Sequence, residues 1–99
     1  MNTGIDERTK HIIIGVISTL FPDAKVYLFG SRARGDYKHG SDIDIAIDTG
    51  KKEERVSVGE ARNMINESNS IFTTQVVDLH NIPEKMRENI LKDGILWKN

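Results

Sequence analysis

The residues best suited to chemistry in this 99-residue chain lie in two short segments, Gly30-Ser31 and Asp42-Ile43-Asp44. A turn of glycine and serine offers backbone N–H groups and a hydroxyl that can bind a phosphate. On a strand, alternation puts Asp42 and Asp44 on one face, about 7 Å apart. Two such carboxylates can bind a divalent cation between them. A phosphate site beside a cation site predicts phosphoryl or nucleotidyl transfer.

Each segment alone also has a simpler explanation. Glycine and serine followed by arginine occur in many ordinary loops. The aspartate pair is harder to explain structurally, because aspartate is depleted from strands. Two aspartates on one face repel each other by about 2–4 kcal/mol at an effective dielectric near 20. Nothing within the segment compensates this repulsion, so the functional interpretation is favoured.

The spacing of these residues resembles a known family. Gly30-Ser31, ten intervening residues and then Asp42-x-Asp44 are similar to the motif of the minimal nucleotidyltransferase (MNT) branch of the polymerase-beta-like nucleotidyltransferases. A lone aspartate on a later apolar strand, Asp78, completes the resemblance, which runs from about Val26 to the end of the chain. The Gly-Ser-x10-Asp-x-Asp pattern is complete, so the sequence gives no indication of a degenerate site.

The resemblance implies a role for each motif residue. The expected catalytic residues are also the expected ligands of two Mg²⁺ ions, and they are Asp42, Asp44 and Asp78. Asp78 is expected nearest the attacking hydroxyl. The expected nucleotide-binding residues are Gly30, Ser31, Arg32 and Ser41, with Arg32 as the cation nearest the β- and γ-phosphates.

The resemblance also implies a function. Stand-alone MNT proteins are often encoded beside a HEPN-domain toxin and transfer AMP from ATP to a tyrosine of that toxin. We therefore expect a magnesium-dependent protein adenylyltransferase that acts as an antitoxin, and that forms either a homo-oligomer or a hetero-oligomer with its toxin. The alternative is a non-catalytic antitoxin or regulatory subunit that binds nucleotide and neutralises its partner by occupancy. An enzyme that modifies a small molecule is less favoured, because such enzymes usually have a second domain.

The composition of the chain bears on its partners and on its location in the cell. The net charge of −1 gives no global basic field, so direct nucleic-acid binding is not expected. The chain has no cysteine, which is compatible with a reducing cytoplasm. Its longest apolar run is too short to span a membrane, and no export signal is visible. We expect one domain over residues 1–99, in the cytoplasm.

Hydrophobic periodicity and turn residues predict an α/β fold. The order of these elements predicts a small sheet flanked by helices, and the sequence leaves its strand order open. The family resemblance implies that the sheet is mixed, as in the polymerase-beta-like nucleotidyltransferase fold. The predicted helices are 6–20, a turn at 31–35, 57–67 behind a Ser57/Glu60 capping box, and 83–93; the predicted strands are 24–29, 41–48 and 72–80. The segment 95–97 is expected to pack on the core or to add an edge strand.

Overall fold

The computed structural model describes residues 2–69 and 71–99. The helices are α1 (Glu7–Leu20), α2 (Ser31–Arg34), α3 (Arg55–Ser68) and α4 (Glu84–Asp93), with a 3-10 helix at Leu79–Asn81. The strands are β1 (Lys25–Phe29), β2 (Ile43–Asp48), β3 (Thr74–Asp78) and β4 (Ile95–Lys98). Within the described ranges, no helix has the length and apolar character needed to cross a membrane.

The four strands form one mixed sheet in the order β3-β2-β1-β4. β1 is antiparallel to both β2 and β4, whereas β2 is parallel to β3. The predicted class, a small mixed sheet flanked by helices, is therefore confirmed. The last apolar segment shows both of the expected outcomes, because it forms the edge strand β4 and its Ile95 and Trp97 pack against the main core.

One face of the sheet carries the main core. Alternation along β1 and β2 directs Val26, Leu28 and Ile45 to this face, where they are fully buried. The apolar side of α1 packs against it through Ile13 and Ile17, and α3 contributes to the same cluster. Asp6 is the N-cap of α1, where its carboxylate accepts a hydrogen bond from the Thr9 N–H.

The opposite face carries a smaller cluster. Ala46 of β2, Leu79 and Ile90 of α4 are buried there, with Phe29 and Met86 packed against them. This cluster holds α4 across the sheet. The face is less completely covered than the first, and it is the face to which Asp44 belongs, because Asp44 alternates with the buried isoleucines of β2.

Several predicted boundaries are wrong. Strands β2 and β3 each begin two residues later than predicted, at Ile43 and Thr74. Helix α3 begins at Arg55 with Glu54 at its N-cap position, so the Ser57/Glu60 capping box lies inside the helix. Strand β3 ends at Asp78 rather than continuing to residue 80, because the Asp78 carboxylate accepts a hydrogen bond from the His80 N–H and starts the 3-10 helix.

Asp48, the last residue of β2, makes two polar contacts. Asp48 Oδ1 lies 2.7 Å from His80 Nε2 and accepts a second hydrogen bond from the Gly50 N–H at 2.8 Å. Burial alone would raise the pKa of the Asp48 carboxyl, but the bonds from Gly50 and His80 outweigh it, so this pKa is lowered. The ionised form of Asp48 therefore stabilises the fold.

The lowered pKa predicts how stability depends on pH. The stabilisation is present above the unfolded value, near 3.8, and is lost as pH falls through the lower folded value. Asp48→Asn should lower the urea midpoint at pH 7 and should lower it less at pH 3, where part of this stabilisation is already lost. Asp23→Asn, at an exposed loop position, is the control. Equal losses for Asp48→Asn at both pH values would contradict this assignment.

Candidate active site

Strand β2 presents the aspartate pair at its first residues. Asp42 is exposed and immediately precedes the strand, and Asp44 is partly buried and pairs with Phe29 of β1. The two carboxylates lie on the same side of the strand by alternation. Asp42 is close enough to act electrostatically on Asp44. The structure thus brings together the two aspartates that the sequence predicted as a pair.

Gly30 lies directly against Asp44. Its φ of +77° is in the left-handed region, which favours glycine because it has no Cβ. A Cβ at this position would overlap Asp44 Oδ2 and would lie 3.2 Å from Asp44 Cγ. Only glycine therefore lets the chain leave β1, pass the carboxylate and begin α2. This contact places the predicted phosphate turn beside the predicted cation ligand.

The negative charge of the pair is only partly compensated. Burial raises the pKa of the Asp44 carboxyl, the neighbouring Asp42 carboxylate raises it further, and Arg34 lowers it by a smaller amount. A partly buried carboxylate with a like charge beside it is disfavoured in its ionised form. A cation bound between Asp42 and Asp44 would relieve this cost.

Arg32 does not face the site, which corrects its predicted role. Its guanidinium donates to the Ser41 carbonyl through Nε and Nη2 at 3.1 and 2.9 Å, and to the Thr3 carbonyl through Nη1 at 3.0 Å. It also stacks between the rings of Tyr37 and Phe72, at 4.8 and 4.9 Å. Only 3% of the residue is exposed. Arg32 is therefore a buried structural cation that holds the loop between α2 and β2.

Ser41 belongs to the same structural unit. Its carbonyl accepts the hydrogen bonds from Arg32 Nε and Nη2, and its hydroxyl accepts a hydrogen bond from the Lys38 N–H at 2.8 Å. Ser41 therefore closes the turn that leads into Asp42. Ser31 is differently placed: it is partly exposed and starts α2, whose first N–H groups have no partner within the helix. Its position beside Gly30 is compatible with the predicted contact to phosphate.

Arg34 is the arginine that acts on the aspartate pair. It lowers the pKa of Asp44, and its side chain is 54% exposed, with a single long contact of 3.4 Å to Asp36. The predicted nucleotide-binding set did not include it. The two arginines are two residues apart on a single helical turn and so point in different directions, but which one faces the site depends on packing outside the segment.

A cavity of about 350 Å³ adjoins Gly30 on this face of the sheet. One side of the cavity is formed by the end of β1 and by α2, and the other side is formed by α4. Its lining residues are Phe29, Gly30, Ala33, Arg34, Met86, Asn89, Ile90, Asp93 and Gly94. The cavity combines apolar walls with the exposed Arg34, and it gives a ligand access to the turn beside Asp44.

Asp78 lies away from the pair, which corrects the predicted three-carboxylate cluster. In the parallel register of β2 and β3, Asp78 is level with Ile47 and shares its buried face, opposite to that of Asp44. It is 5% exposed, and its carboxylate accepts hydrogen bonds from the Glu53 N–H at 2.7 Å and the His80 N–H at 2.9 Å. Asp78 is a structural anchor for two connections, about 10 Å along the sheet from Asp44.

The residues on the Asp44 face fit a divalent cation only in part. Asp42 and Asp44 supply two carboxylates whose charge is only partly compensated, which suits a cation shared with a polyphosphate. In the part of the chain that the structure describes, no group of three or more histidine, cysteine, aspartate or glutamate side chains could hold a metal ion. The predicted ligand set for two ions is thus not assembled.

Comparison with known proteins identifies the family. The family model for polymerase beta nucleotidyltransferases matches residues 13–98, and the chain belongs to this family of nucleotidyltransferases. It is 30% identical over 81 residues to the probable protein adenylyltransferase MntA of Haemophilus influenzae; the alignment covers 82% of this chain and 71% of that protein. The family resemblance seen in the motif is confirmed.

Solved structures show the same fold. One is a toxin–antitoxin complex with AMP-PNP, with 22% identity and a TM-score of 0.78 over 89% of this chain and 71% of that chain. Another is the tri-AMPylated Shewanella oneidensis HEPN toxin in complex with its MNT antitoxin, with 19% identity and a TM-score of 0.74 over 94% of this chain and 71% of that chain. At these identities the likeness establishes the fold.

The raised pKa of Asp44 predicts that the pair costs stability at neutral pH. An acid whose folded pKa is raised destabilises the fold as pH rises from its unfolded value, near 3.8, through the folded value, and it has no such effect at lower pH. Asp44→Asn should therefore raise the urea midpoint at pH 7 and leave it nearly unchanged at pH 3. Asp48→Asn is the matched comparison, because it should lower the urea midpoint at pH 7. A lower midpoint for Asp44→Asn at pH 7 would contradict this electrostatic assignment.

Proposed function

We propose that the protein is a magnesium-dependent nucleotidyltransferase that moves AMP from ATP to a tyrosine of a HEPN-domain toxin and so acts as an antitoxin. The observation that supports this most directly is the close approach of Gly30 to Asp44, which puts the candidate phosphate-binding turn against the aspartate pair. The HEPN toxin as acceptor and the antitoxin role rest on similar proteins: one is named a probable protein adenylyltransferase, and another is an MNT antitoxin in complex with a tri-AMPylated HEPN toxin. The tyrosine is what the family resemblance implies.

The chain's own groups have distinct tasks in this proposal. Asp42 and Asp44 would hold Mg²⁺, which when bound supplies positive charge to the phosphates of ATP. The turn at Gly30-Ser31 and the exposed Arg34 would bind the β- and γ-phosphates. Arg32 and Ser41 would act indirectly, by fixing the loop that carries Asp42. The cavity beside α2 and α4 would hold another part of the nucleotide.

The transfer itself is a displacement at the α-phosphorus. The acceptor oxygen forms a bond to that phosphorus, the bond to the bridging oxygen of pyrophosphate breaks, and pyrophosphate leaves. The hydroxyl proton must go to a base. Asp78 is too far away and is bonded to two N–H groups, so the proton acceptor in this proposal is Asp42, Asp44 or solvent.

One observation favours the alternative of neutralisation by occupancy. The face that presents Asp42 and Asp44 does not include Asp78, the expected third carboxylate. A protein with this site could bind ATP and a cation, dock on its toxin and block it without transferring AMP. The two functions make different demands on Asp44, because the charge of a carboxylate inside a cleft is essential for transfer but contributes little to an outer interface.

A co-expression experiment separates the two functions. The HEPN-domain toxin of the proposal would be produced with the wild-type chain, with Asp44→Asn or with the exposed control Asp23→Asn. Loss of the Asp44 charge should slow transfer at least a hundredfold, equivalent to about 3 kcal/mol in the barrier. We expect intact-mass spectra to show added AMP on the toxin with the wild type and Asp23→Asn only, although all three chains bind it in pull-downs.

A growth assay can give the result that would contradict the enzymatic function. If Asp44→Asn protects cells from the toxin as well as the wild type does, and no mass is added to the toxin by either chain, the enzymatic function is wrong and occupancy is correct. A circular dichroism melt of each variant shows whether a lost effect results from unfolding.

A further inference from the structure

The position level with Asp44 on the neighbouring strand is Gln75. The parallel register pairs Gln75 of β3 with Asp44 of β2, so their backbones are about 4.8 Å apart and their side chains extend from the same face of the sheet. Gln75 is exposed. The next residue on this face, Val77, is level with Ala46 and belongs to the apolar cluster under α4. Gln75 is therefore the polar side chain of β3 adjacent to the carboxylate pair.

The chemistry of an amide differs from that of a carboxylate at this position. The Gln75 amide can offer one neutral oxygen to a cation and two N–H donors to a phosphate oxygen, but it carries no charge and cannot accept a proton at neutral pH. Affinity for a hard divalent cation depends strongly on the number of charged oxygen ligands. With Gln75 the site has a formal charge of −2 from its aspartates, and a carboxylate there would make it −3.

We propose that Gln75 is the third polar group of this site, and that its neutrality restricts the protein to one tightly bound divalent cation per nucleotide. The proposal rests on the proposed function in one respect, the binding of a nucleoside triphosphate at Gly30 and Asp44. It does not depend on transfer to a partner. The cation held by Asp42 and Asp44 is retained, and a second cation, which lacks a charged ligand on β3, binds weakly.

The variants Gln75→Glu and Gln75→Asp test this directly, because each adds a charge to the site without changing the two aspartates. Gln75→Glu retains the side-chain length, and Gln75→Asp covers the case in which the longer side chain cannot reach the cation. The matched control is Asn63→Asp, which makes the same amide-to-carboxylate change at an exposed position of α3, on the opposite face of the sheet. Its net charge equals that of the Gln75 variants.

The measurement is the number of Mn²⁺ ions bound per chain, determined by electron paramagnetic resonance during titration in the presence of saturating AMP-PNP. The wild type and Asn63→Asp should bind one ion tightly. At least one of the two Gln75 variants should bind a second ion about tenfold or more tightly than the wild type does. Thermal melts in the same buffer report whether each variant is folded.

Two results would overturn the proposal: two tightly bound ions in the wild type, or no gain in the second ion for both folded Gln75 variants. A gain of the same size in Asn63→Asp would also overturn it, because the effect would then be one of net charge. Failure of the proposed function has a different signature. One ion in the wild type and a gain in the Gln75 variants, with no AMP added to the HEPN partner, would leave the Gln75 proposal intact and remove transfer.

Discussion

The contact between Gly30 and Asp44 is the constraint on which the site depends. Gly30 adopts a φ of +77°, and a Cβ there would occupy the space of the Asp44 carboxylate. The turn after β1 can therefore lie against β2 only with glycine at this position. This close approach joins a candidate phosphate site to a candidate cation site. The antiparallel pairing of Phe29 with Asp44 fixes the two segments at the same level of the sheet.

Arg32 preserves this arrangement from the other side of the turn. Its buried charge is satisfied by the carbonyls of Thr3 and Ser41 and by the faces of Tyr37 and Phe72. Hydrogen bonds that involve a charged group contribute about 1.5–3 kcal/mol each, and loss of one partner leaves the other unsatisfied. Arg32 thus ties the N-terminal segment to the loop before Asp42. It positions the site without lying in it.

The α/β class and the aspartate pair could be predicted from the sequence because both depend on local patterns, whereas the mixed sheet was implied by the family resemblance. Alternation along one strand is enough to put Asp42 and Asp44 on the same face. The position of Asp78 depends instead on the register between β2 and β3, and a shift of one residue reverses every side chain. For the same reason, the sequence alone did not indicate that Gln75 lies level with Asp44. The choice between Arg32 and Arg34 needed the aromatic rings and carbonyls that surround Arg32, which come from distant parts of the chain.

In the binding mode that we propose, a nucleoside triphosphate places its cation at Asp42 and Asp44 and its phosphates at the Gly30-Ser31 turn. The most direct test is a crystal structure of this protein grown with Mn²⁺ and AMP-PNP, with data collected for the anomalous signal of manganese. We expect an anomalous peak within about 2.0–2.6 Å of the carboxylate oxygens of Asp42 and Asp44, with phosphate oxygens beside Ser31. A nucleotide bound elsewhere, with no peak at these aspartates, would contradict it.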